Sequence, residues 1–204
     1  MKPILLLLLS LSSLTAFSQT TAEVGDFKVT LLTKDQWAML SFTGKSHSFT
    51  VEVTGNTIKP TTDEQPNYLL VDNALLLVSC VPMPDGADAS GYSADQQKTV
   101  LSSYADYEMH YFNNELHLVT RNLQKEWVVL QGRTFLLWQF DVPKQAVAGV
   151  DQGGKQAVQQ LYLSTIWYDQ VVDINCPLMN DSEQTAAEKL LYKTARSFKS
   201  FNIP

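Results

Sequence analysis

Residues 126–142 read Glu-Trp-Val-Val-Leu-Gln-Gly-Arg-Thr-Phe-Leu-Leu-Trp-Gln-Phe-Asp-Val. Two apolar runs, Glu126 to Leu130 and Thr134 to Val142, flank Gln131-Gly132-Arg133. Aromatic and β-branched residues favour strands, and a glycine in a three-residue connection suits a hairpin. The stretch therefore predicts two antiparallel strands, and the same grammar returns downstream. Leu161 to Tyr168 and Val171 to Leu178 predict a second hairpin, turning at Asp169-Gln170.

Upstream, Phe27 to Thr33 and Ala38 to Phe42 read as strands. Ser48 to Thr54 puts Phe49, Val51 and Val53 on one face, the mark of a half-buried strand before the Gly55-Asn56 turn. Lys59 to Pro66 is a loop, Tyr68 to Val81 one or two strands joined at Asp72-Asn73, and Pro82 to Gly86 irregular. Two helices are expected. Ser93 and Gln96 have capping-box spacing, followed by a stripe of Val100, Tyr104, Tyr107 and Tyr111. Asp181 and Gln184 repeat that spacing before Ala187, Leu190, Leu191, Thr194 and Phe198, with Arg196 and Lys199 placed to complement the helix dipole. Between the helices Glu115 to Leu123 alternates like another strand, and Pro143 to Gln160 is a polar connection. Repeated βαβ units are absent, which disfavours a doubly wound parallel sheet. The reading is α+β: one antiparallel β-sheet covered by helices.

From Tyr104 through Ser197 the chain resembles the Mog1/PsbP-like superfamily. The helix leads into Asn114-Glu115-Leu116, then Trp127-Val128-Val129-Leu130 and Gly132-Arg133-Thr134-Phe135-Leu136-Leu137-Trp138. Gln160-Leu161-Tyr162-Leu163-Ser164-Thr165, the strand to Cys176 and a last helix bearing Arg196-Ser197-Phe198 complete the match. The resemblance covers about half the chain and rests on element order. It implies an α/β/α sandwich and a binding module, since the superfamily spans photosystem accessory proteins, a nuclear transport factor and exported bacterial proteins. It brings no catalytic motif.

Lys2 precedes an apolar run from Ile4 to Leu9, and Ala16 and Ser18 are small residues suited to cleavage before Gln19. This is the pattern of a secretory signal peptide over residues 1–18. Ser10, Ser12, Ser13 and Thr15 break it below the length of a membrane span. The expectation is a single domain over 19–204, periplasmic or secreted, with no membrane span after cleavage. With 21 Asp plus Glu against 15 Lys plus Arg, the charge is −6, which excludes a phosphate-backbone surface and hence nucleic acid as partner.

Cys80 and Cys176 meet an oxidising compartment and both face the core by strand alternation. They are a disulfide candidate, worth about 4–5 kcal/mol in a chain-entropy view. The other reading is two buried free thiols. His110, Glu115 and His117 are the nearest approach to a metal set, with Glu115 and His117 sharing a strand face, but no ligand spacing supports one. Ser46-His47-Ser48 points its side chains apart, Asp63-Glu64 reads as solvated charge, and Gly153-Gly154-Lys155 lacks the rest of a phosphate loop. No catalytic residue, metal ligand or cofactor is assigned. Trp127, Trp138 and Trp167 read first as packing and second as groove lining. The function expected is a non-enzymatic protein binding another protein or a cell-envelope component. The alternative is a small-ligand carrier or hydrolytic enzyme with a pocket between the sheet and the first helix.

Overall fold

Apolar alternation on β2 (Phe27–Lys34), β3 (Trp37–Thr43) and β4 (Ser48–Thr54) buries one side of each strand and leaves the other half-exposed. These strands pair in sequence, flanked by β1 (Ser18–Val24) and the short β12 (Lys199–Phe201), into a five-stranded antiparallel sheet ordered β1-β2-β3-β4-β12. A second antiparallel sheet has seven strands, ordered β5-β6-β7-β11-β10-β9-β8. It comprises β5 (Ile58–Pro60), β6 (Tyr68–Val71), β7 (Ala74–Pro82), β8 (Arg121–Leu130), β9 (Arg133–Asp141), β10 (Gln159–Trp167) and β11 (Gln170–Leu178). The computed structural model describes residues 18–62, 64–83, 87–142, 157–179 and 183–201. Residues 1–17 of the leader, Asp63, Asp181 and Gly153-Gly154-Lys155 lie outside these residues.

The α+β class and the antiparallel pairing agree with the sequence. The single sheet is corrected to two, stacked face to face. Their inner faces form the main core, with Phe42, Phe49, Leu40 and Val51 from one sheet meeting Leu76, Val78, Leu161 and Ile174 from the other. Helix α2 (Gln184–Arg196) joins this core through Ala187, Leu191 and Ala195. Helix α1 (Ala94–Asn114) lies on the opposite face of the seven-stranded sheet and covers Leu136, Trp138, Phe140 and Ile166 with Leu101 and Ala105. Residues Thr134 to Phe140 are therefore buried on both faces, which is why that stretch is nearly continuous in apolar residues.

Several boundaries differ from expectation. The β8–β9 connection is a two-residue turn, because Leu130 pairs with Arg133 and both Gln131 (φ 52°) and Gly132 (φ 78°) take left-handed angles. Likewise Trp167 pairs with Gln170, so the second hairpin turns at Tyr168-Asp169. The Ser93–Gln96 capping box closes as read. For α2, however, the N-cap is Glu183, without a side-chain cap bond, and the helix ends at Arg196, so Phe198 and Lys199 lie beyond it. Glu115 to Thr120 is not a strand, and β8 begins at Arg121.

Candidate functional site

Pairing across β10 and β11 sets Ser164 opposite Asp173, both on the face that α1 covers. Asp173 is 3% exposed and Ser164 fully buried. Trp138 Nε1 donates to Ser164 Oγ at 2.8 Å, and the serine hydroxyl donates to Asp173 Oδ1. From α1, Tyr104 donates its hydroxyl to Asp173 Oδ2 at 2.5 Å. Burial pushes the Asp173 carboxyl up to about 6, against the pull of its two hydroxyl donors. Burial and the Asp173 charge also raise half-buried Glu108, one helical turn after Tyr104. Ser164 spends its hydroxyl on two hydrogen bonds in a closed site, so it presents no nucleophile. The seam pins α1 to the sheet.

The two cysteines do not meet. Cys80 pairs with Val172 across β7 and β11, and Cys176 lies four residues further along β11, roughly 13 Å away at the usual strand rise. A disulfide needs Cα atoms within about 7 Å. Both thiols are free and pack against the main core, so the disulfide candidate is corrected to the buried-thiol reading. Burial raises both, Cys176 to about 12. The Glu115–His117 pair is corrected too: His117 takes φ 54° outside any strand, and His110 Nδ1 is occupied by Asn114 at 2.7 Å. Among the described residues no group of three or more metal-ligating side chains converges.

The α1 stripe also differs. Leu101 and Ala105 face the core, whereas Tyr107 and Tyr111 are 64% and 40% exposed. Beside them, β8 is an edge strand of the seven-stranded sheet and carries Trp127 and Val129 on the α1 side, 39% and 68% exposed. Lys125 ties β8 to α1 through Asp106 Oδ1 at 2.7 Å and the Ser102 carbonyl at 3.0 Å. Lys98 stands over the Trp127 ring at 5.9 Å.

At the hairpin end a cleft of about 370 Å³ opens between Ala89, Ser90, Gln97, Gln131, Gly132, Arg133, Ile166, Trp167 and Tyr168. Tyr168 holds φ 55°, rare for a bulky residue, and stacks on His47 with ring centroids 3.5 Å apart. Sequence reading missed this cleft, because its walls come from three turns and the start of α1. The signal present was the Gly132-Arg133 step at a hairpin tip. No helix among the described residues is long and apolar enough to cross a membrane.

No protein-family model matches the chain. No curated protein matches it either. Among solved structures it is similar to the solution structure of cyanobacterial PsbP (CyanoP) from Synechocystis sp. PCC 6803. The identity is 11%, the TM-score 0.44, and the match covers 93% of this chain and 95% of that one.

Proposed function

We propose that the protein is exported by a signal peptide over residues 1–18 and acts, over 19–204, as a non-enzymatic binding module in the periplasm or outside the cell. On this reading it follows the Mog1/PsbP-like plan, with helices flanking the seven-stranded sheet, and its partner is a protein or cell-envelope component. One observation carries the proposal. Among the described residues, six of the seven exposed large hydrophobics, Tyr107, Tyr111, Leu116, Val119, Trp127 and Val129, fall within 107–129. Such a concentration on a small domain marks an interaction surface. β8, the last strand of its sheet among the described residues, adds a row of backbone donors and acceptors to it.

A photo-crosslinking side chain at Val129, introduced in the native envelope, tests this. A discrete adduct that Trp127→Ser abolishes is expected. Equal adducts from the same group at exposed Lys28, on the other sheet, would overturn the surface assignment. N-terminal sequencing of the exported form tests the leader separately: Gln19 is expected first, and retained Met1 would overturn it.

A further inference from the structure

Arg133, the first residue of β9, sets its guanidinium in the corner of two rings that meet edge to face, 4.5 Å from the Trp167 centroid and 4.5 Å from the Phe198 centroid. Aromatic faces hold a cation flat but leave its edge N–H groups unsatisfied. The ion pairs among the described residues join Lys125 to Asp106 and Lys199 to Glu52, so Arg133 has no carboxylate of its own there. Partial burial pulls it below the usual arginine range. Trp167, which also lines the cleft, keeps its Nε1–H buried with no acceptor among the described residues.

We propose that this cleft is a binding site for a single carboxylate carried on a small apolar body. The Arg133 fork matches a carboxylate with two parallel hydrogen bonds. Its aromatic corner fixes the fork beforehand, which lowers the ordering cost of binding. Gln97, Gln131 and Ser90 add polar groups around the rim, while Ile166 and Trp167 supply an apolar wall. The volume suits a molecule of roughly ten heavy atoms rather than a polymer. Electrostatics select a monoanion over a phosphate dianion. Asp88, beside the cleft, accepts from the Ser90 amide at 2.8 Å, which holds its carboxyl below the usual range, and the chain as a whole carries −6.

Benzoate is the probe, followed through the indole N–H resonance of Trp167 in the ¹⁵N-labelled protein. A saturable shift with roughly millimolar or tighter affinity is expected. Acetate should bind at least about tenfold more weakly for want of the apolar body, and inorganic phosphate more weakly still. Arg133→Met keeps the stem over the rings and should weaken benzoate at least about tenfold. Should that variant lose its fold, Arg133→Lys must meet the same criterion, since it retains charge without the fork. A shift that never saturates, phosphate binding tighter than benzoate, or unchanged affinity in the Arg133 variant would each overturn the assignment.

Discussion

Ser164 and Asp173 stand opposite one another across the β10–β11 pair, and the serine hydroxyl donates to the aspartate carboxylate beneath α1. With Tyr104 and Trp138 they form a chain of donors that ends on one buried acid. The arrangement makes stability depend on pH in a defined direction.

Asp173 is raised to about 6 by burial, against an unfolded value of about 3.9. The folded state therefore holds the proton more tightly. The contribution is complete below the unfolded value and is lost as pH rises through 6. Glu108 shifts the same way, whereas Glu52, Asp72 and Asp88 shift downward and act in more acidic solution. The thermal midpoint of the native protein relative to Asp173→Asn should fall between about pH 4 and about pH 7. A difference that stays constant across that window would refute the assignment.

Tyr104→Phe removes one of the two hydroxyl donors to a carboxylate that water cannot reach. A loss of about 1–3 kcal/mol is expected in urea unfolding. Tyr107→Phe, on the exposed side of the same helix, should change stability by less than about 0.5 kcal/mol.

Alkylation of the unfolded chain without reductant should add one group at each of Cys80 and Cys176, because both are free. In the native state both should resist the reagent, since burial holds the thiols protonated. Mass measurement reads both results, and an unmodified denatured chain would restore the disulfide.

Ser197, which caps the end of α2, accepts from the Glu52 amide at 2.6 Å and donates toward the Glu52 or Thr194 carbonyl. This clamps the helix to β4. Ser197→Ala should cost about 1–2 kcal/mol, measured by denaturant unfolding with the slope unchanged.

Much of this fold is legible in the chain, for reasons that differ by element. Ser48 to Thr54 alternates because one face is core, and Thr134 to Phe140 is continuously apolar because both faces are. Neither pattern says which sheet a strand joins, so two stacked sheets read as one. The edge strand β1 escaped notice because its residues are polar and largely exposed, the usual guise of an edge. Tyr168 hid its turn, since a bulky residue seldom takes a positive φ without neighbours such as His47 to hold it. The cleft was less legible still. Ser90, Gln97, Arg133 and Trp167 are far apart in sequence, and only the packing of two hairpin tips against the start of α1 brings them together.

The pairing of β12 with β4 has a consequence for the order of events in folding. Lys199 to Phe201 supply the last strand of a sheet whose other members all lie before residue 55. Until those three residues arrive, β4 presents an open edge, and Phe49 lacks the Phe198 ring that stacks on it at 4.6 Å. A chain emerging from the ribosome is thus kept from closing its first sheet until Phe201 has been made, roughly 150 residues after β4.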